Sequence, residues 1–253
     1  MKTDTKNKIL ALIKRNSGIR AYKITQEVGF TKAVVFRHLK DLIHKNEIIK
    51  IGKPPKVNYF YINNMDQKTS EEENLFRWAI TGSQKDILPE KLSPTRDVFQ
   101  ARLEKSIKEL SGLLPEEVIY LLVAGIGEIG NNSFDHNLGR WIDVPGVLFS
   151  IDKENRNILL ADRGQGVYNT LKKVRPDIKN HKEALKVAFT EIISGRAPEK
   201  RGNGLKYVKK IIIENNWYLK YYSGDMICSI TGDGMRIEKS KNNIPGTLII
   251  IKF

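Results

Sequence analysis

The sequence has a single cysteine, Cys228, among 253 residues. That count excludes an internal disulfide framework and any multi-cysteine zinc site. Histidine is also scarce: His38, His44, His136 and His181 stand far apart, at spacings that suit no metal cluster. No apolar run approaches the ~20 residues that span a bilayer, and the opening MKTDTKNKIL lacks the apolar stretch of a secretory signal. A cytoplasmic protein with no membrane partner is therefore expected. Acid is short as well, with 29 Asp and Glu against 43 Lys and Arg, leaving +14. What is present, 40% hydrophobic and 28% charged residues, excludes a disordered chain. The length fits one large domain or two smaller ones.

The charge is unevenly placed. Residues 1–62 hold 14 Lys and Arg against four acids, a net +10, while the other 191 residues carry only +4. Within the basic quarter, Ile9, Leu10, Leu12 and Ile13 predict a helix over roughly 3–16. A second, about 21–28, stops at Gly29. A third starts at Thr31, a good N-cap, and buries Val35, Leu39, Leu42 and Ile43 on one face. Residues 47–51 and 57–62 read as two strands joined by Gly52-Lys53-Pro54-Pro55-Lys56. Three helices and a hairpin, with "ITQEVGFTKAVVFRHLKDLIHKNEII" at 24–49, resemble the winged helix-turn-helix family. The resemblance implies double-stranded DNA as partner, with Thr31, Lys32, Phe36 and Arg37 facing the major groove and Lys53 and Lys56 reaching phosphates. Six neutralised phosphates would give a log–log salt slope of about −5.

A polar, then acidic stretch marks a linker near 63–72. After it, Leu75, Phe76, Trp78, Ala79 and Ile80 predict a short amphipathic helix. Phe99, Leu103, Ile107 and Leu110 predict a longer one over 94–111. These helices either pack on the C-terminal core or serve dimerisation and coupling, and the pattern favours neither. The domain plan is 1–64, a linker with connecting helices over 65–112, and 113–253.

The next helix, "EEVIYLLVAGIGEIGNNSFDHN", carries Glu128, Asn132 and His136 at i, i+4, i+8, so all three share one face. Asn131 and Asp135 form a second polar row. Two strand-like runs follow, at 146–151 and 157–161, and the second ends in Asp162-Arg163-Gly164-Gln165-Gly166. An acid at a strand end before two spaced glycines lets the backbone come close to a flat or anionic ligand. Arg201-Gly202-Asn203-Gly204-Leu205 opens a further helix, whose exposed N–H groups suit phosphate. Three strands then begin near Trp217, Met226 and Thr247.

Taken in this order, E-x3-N-x3-H, D-x-G-x-G, G-x-G-L and the late Gly246-Thr247 resemble the GHKL ATPase and kinase superfamily over roughly 95–253. The resemblance implies an α+β chain: a winged helix-turn-helix followed by a Bergerat-type α/β sandwich with a mixed, mostly antiparallel sheet. It implies ATP and magnesium as cofactors. Asp162 would accept from the adenine amino group, supported by Thr247, and Gly164 and Gly166 would pass close to base and ribose. Asn132 would hold magnesium. Glu128, the catalytic residue, would orient or deprotonate the attacking water or an acceptor group. Gly202 and Gly204 would donate to phosphates, and Asp135, His136, Arg201 and Leu205 lie within the same nucleotide motifs. Residues 167–201 would form a lid containing a helix near 182–193. No phosphoacceptor histidine lies between Asp66 and Glu117, which argues against a sensor autokinase. Three functions remain: a DNA-binding regulator set by ATP, a serine/threonine-type kinase resembling anti-sigma factors and acting on a neighbouring gene's product, and a DNA-stimulated ATPase. A homodimer is left open.

Overall fold

The computed structural model describes the chain except residues 1, 17, 46, 52–53, 56, 62–69, 84–88 and 193–203. It divides into two compact units, 1–69 and 70–253.

The first unit runs α1 (Lys2–Arg15), β1 (Ile19–Arg20), α2 (Ala21–Val28), α3 (Lys32–His44), β2 (Ile48–Ile51) and β3 (Asn58–Tyr61). Gly29 ends α2 in the left-handed region, φ 70°, with its N–H on the Thr25 carbonyl. The Thr31 side chain caps α3 by accepting from the Val34 N–H. Ile9, Ile13, Ile24, Val35, Leu39, Leu42 and Ile48 close over one another in the core. Lys6 bridges Glu47 at 2.7 Å and Asp41 at 3.4 Å, tying α1 to the far end of α3. β1 is a strand that periodicity did not predict. Its two residues pair with Tyr59 and Asn58, making an antiparallel sheet of order β1-β3-β2.

The second unit runs α4 (Ser70–Thr81), a 3-10 turn (Pro89–Lys91), β4 (Leu92–Ser93), α5 (Arg96–Leu110), α6 (Glu116–Asn137), β5 (Val147–Asp152), β6 (Asn157–Asp162), α7 (Gly166–Lys172), α8 (His181–Thr190), α9 (Gly204–Glu214), β7 (Tyr218–Thr231) and β8 (Gly234–Lys252). Its sheet has the order β4-β5-β6-β8-β7, and every ladder in it is antiparallel among the described residues. The class is thus α+β with antiparallel sheets. One sheet face packs Leu148, Leu159, Ala161, Leu248 and Ile250 against Leu75, Phe76, Trp78 and Ala79 of α4. On the other, Phe149 meets Phe99 of α5 with ring centroids 5.8 Å apart, and Tyr221 meets Phe189 of α8 at 5.4 Å. β6 is therefore covered on both sides, which is why it is a continuous apolar run rather than an alternating one.

Four expectations change. The acids at 71–72, taken with the linker, lie in the first turn of α4, where a negative charge suits the helix dipole. Glu72 is 2% exposed, accepts from Asn157 Nδ2 at 2.6 Å and pairs with Lys252 at 3.6 Å; burial pushes its carboxyl up. The helices placed between two domains both belong to the second unit. The three late strands are two long ones, with register shifts between Ser223, Gly224 and Met226 where the pattern broke. The lid interval carries α7 as well as α8, and α8 ends at Thr190. The rest of the linker, 63–69, and lid residues 193–201 fall outside the described residues. Among those described, no helix is long and apolar enough to cross a membrane.

Candidate functional site

β6 delivers Asp162 to the end of the sheet, where the residue is 1% exposed. Side-chain and backbone donors from three elements converge on its carboxylate, the Thr247 N–H among them. Ser133 Oγ of α6 donates to Oδ2 at 2.8 Å, and Thr247 Oγ1 of β8 donates to the same oxygen. The Gly164 N–H donates to Oδ1 at 2.8 Å, and Asn137 Nδ2 to the same atom at 3.3 Å. Thr247 is also the ladder partner of Asp162 across β6 and β8. Burial pushes the Asp162 carboxyl up, and the bonds from Thr247, Gly164 and Ser133 pull against it. An ionised carboxylate offers about four acceptor sites, and here each is met.

The turn after Asp162 is shaped by close approach. A Cβ at Gly164 would stand 2.0 Å from Cγ of Asn137. Gly166 has φ 74°, and a Cβ there would reach the Pro245 carbonyl at 2.7 Å. Between them, Gln165 donates its N–H to Asn137 Oδ1 at 3.0 Å and its Nε2 to the His136 carbonyl at 2.6 Å. Ser223 Oγ then accepts the Val167 N–H and donates to the Gly246 carbonyl, each at 3.0 Å, holding the start of α7 to the two long strands.

The expected Glu128, Asn132, His136 row lies along α6, Glu128 exposed and the other two partly buried. Gly204, the first residue of α9, sits against it: a Cβ at Gly204 would be 2.5 Å from Glu128 Oε2. α9 is fixed there by Val208 and Ile211, which pack over Gly125 of α6. Leu205 is partly buried beside Gly204, while Arg201 and Gly202 fall outside the described residues. The second polar row turns elsewhere. Asp135 pairs with Arg96, and Asn131 Oδ1 accepts from Gln100 Nε2 at 2.9 Å, so both face α5 and not the Asp162 carboxylate. The cause is geometric, because Asp135 is one residue, about 100° of helix, from His136.

Ser133 and Asn137 were not anticipated. The signal was present: they continue the buried row of Ile126, Ile129 and Gly130, so two polar residues extend an apolar stripe. Such groups require partners, and Asp162 is the partner. Arg163, also unassigned, is 5% exposed. It holds Asp143 through Nε at 2.7 Å and Nη2 at 2.6 Å, and donates Nη1 to the Ala79 carbonyl at 2.7 Å and the Trp78 carbonyl at 3.3 Å. Arg163 in turn holds the Asp143 carboxyl below the usual carboxylate range. Among the described residues, no group of three His, Cys, Asp or Glu could hold a metal ion.

In the first unit, the N-cap Thr31 and the α3 residues Lys32, Phe36 and Arg37 are all exposed, while Val35, Leu39 and Leu42 are buried. Phe36 is 43% exposed, unusual for a phenyl ring. Lys53 and Lys56 fall outside the described residues.

No family model matches the chain, and no curated protein matches it. Among solved structures, the crystal structure of an IclR transcriptional regulator from Alicyclobacillus acidocaldarius aligns over 99% of this chain and 86% of that one, at 10% identity and a TM-score of 0.22. A superposition that loose decides neither fold nor function.

Proposed function

We propose that this chain is a DNA-binding regulatory protein whose C-terminal unit binds ATP in the manner of the GHKL superfamily. The carrying observation is Asp162: a buried carboxylate at a strand end, ringed by donors, beside a turn that admits no side chain at Gly164. That arrangement suits the edge of a planar base bearing an amino group once the Ser133 hydroxyl on Oδ2 turns to its other acceptor, the Ile129 carbonyl. Thr247 and Ser133 orient the carboxylate, and Gly164 and Gly166 let the backbone close on the base.

The face of α6 fits the remainder of such a ligand. Asn132 supplies a side-chain oxygen for magnesium, which keeps several waters and takes its other ligands from phosphate oxygens, so no protein cluster is needed. Gly204 places the positive end of α9 beside Glu128, and a helix start favours phosphate. When bound, the nucleotide supplies a transferable phosphoryl group. Glu128 is solvent-exposed, and in this reading it orients a water or an acceptor hydroxyl, with hydrolase or kinase chemistry as the second reading. Labelled γ-phosphate appearing on a neighbouring gene's product would establish the kinase form.

Asp162→Asn removes the charge and half of the acceptor capacity while keeping the shape. ATP affinity by calorimetry is expected to fall at least ~100-fold, about 2.7 kcal/mol. Unchanged affinity would sink the assignment. For the N-terminal unit we propose duplex DNA, approached through the Thr31–Arg37 face of α3. Lys32→Ala combined with Arg37→Ala is expected to weaken binding and to flatten the log–log salt slope by up to about 2. A slope equal to that of the parent would show that neither residue meets a phosphate.

A further inference from the structure

The side-chain and backbone bonds to Asp162 are not equivalent. Oδ2 is held by two hydroxyls, Ser133 and Thr247, and hydroxyls rotate. Ser133 has a second acceptor in reach, the Ile129 carbonyl at 3.5 Å. If its proton turns there, a lone pair on Oδ2 is released. Oδ1 is held differently. Its donors are the Gly164 N–H and the amide of Asn137, and that amide is fixed at its other end by the Gln165 N–H on Asn137 Oδ1. Asn137 is 4% exposed and is pressed against Gly164. It has no room to turn away.

We propose that Asn137 is the positioning residue that makes this pocket select a base with an exocyclic amino group, by fastening Asp162 and the Gly164–Gln165 turn into one unit. The inference rests on the reading of Asp162 as the base contact and names what sets its preference. With two fixed N–H donors on Oδ1, that oxygen always accepts. A protonated carboxyl donating from Oδ1 would set its hydrogen against the Asn137 and Gly164 hydrogens. Two N–H donors on Oδ1 favour the ionised carboxylate, whose releasable oxygen, Oδ2, is then an acceptor, so the incoming base must bring a donor. A carbonyl at the same place would meet oxygen against oxygen. Asn137 does not touch the base in this account. It acts through Asp162 and the turn.

The test uses the full chain with ATP and inosine triphosphate, which differ in an amino group against a carbonyl at one ring position. A site built to receive an N–H rejects an analogue lacking it strongly, so the parent should prefer ATP by ~100-fold. Asn137→Ser leaves space for water, and Asn137→Leu fills the space without either hydrogen bond. In both, ATP affinity should fall ~10-fold while inosine triphosphate affinity holds, shrinking the preference to ~10-fold. Burial of the Cys228 thiol against a thiol reagent reports that each variant is folded.

Equal losses for both nucleotides in a folded variant would make Asn137 merely structural and overturn the proposal. A parent that binds the two nucleotides equally overturns it without any variant, while leaving a nucleotide site in place. A parent that binds neither overturns the underlying reading of Asp162 and this proposal with it.

Discussion

Trp78→Ala is expected to cost the C-terminal unit about 4 kcal/mol, within the usual range for deleting a buried large aromatic. Trp78 is fully buried, 0% exposed, at the centre of the face by which α4 covers the sheet. A twelve-residue helix has little stability of its own in water, so α4 persists because Leu75, Phe76, Trp78 and Ala79 dock. The indole sharpens the prediction. Its N–H is buried and has no hydrogen-bond partner. Trp78→Phe therefore removes an orphaned donor along with some area, and should cost less than about 1.5 kcal/mol. Cys228 offers a local readout, since its thiol is wholly buried in β7 and is pushed up to about 12 by that burial. Its reaction with a thiol reagent across a denaturant series reports the second unit without interference from the first. If Trp78→Ala and Trp78→Phe unfold together with the parent, α4 is not the cover of that face.

Arg163→Leu is expected to cost about 3 kcal/mol, by leaving a buried acceptor unmet. Arg163 fastens the last turn of α4 chiefly through the Ala79 carbonyl, which the helix itself does not satisfy, while the Trp78 carbonyl also accepts from the Gly82 N–H at 2.7 Å. Asp143 will rehydrate, its side chain being 42% exposed, so the lost ion pair contributes less than the stranded Ala79 carbonyl. Arg163→Lys should recover only part of the loss. An ammonium cannot reach a carboxylate bidentately and two carbonyls at once. Because Trp78 and Arg163 secure one helix, the double variant should lose less than the two single losses combined. Strict additivity in the same assay would show that they act on separate structures.

How much of this was legible depends on how local each signal was. α2 and α3 could be bounded from Gly29 and Thr31, since a left-handed residue and a side-chain cap act within one turn. β1 could not, because two residues carry no period and its existence depends on Tyr59 and Asn58 forty residues on. Glu71 and Glu72 looked like a solvated linker because acid runs usually are. The lysine at 252 and the asparagine at 157, both far along the chain, are partners of the buried Glu72 that no local pattern reveals. In the candidate site, Asp162, Gly164, Gly166 and Thr247 were visible as punctuation at strand ends. Ser133 and Asn137 were masked by their place in an apolar row. Asp135, placed with the nucleotide motifs, pairs with Arg96 of α5, a neighbour 39 residues earlier that helical spacing does not reveal.

The strand order has a consequence for synthesis. β6 lies between β5 and β8, and Thr247, which completes the ring of donors on Asp162, follows it by 85 residues. At ~5–20 residues per second, a ribosome needs on the order of ten seconds to travel from one to the other. Throughout that interval the first unit, closed by residue 69, is already in hand, while the Asp162 carboxylate lacks its partner on β8. A nascent chain is therefore a finished N-terminal unit attached to an unfinished sheet, and translation that stalls before Thr247 would release the one without the other.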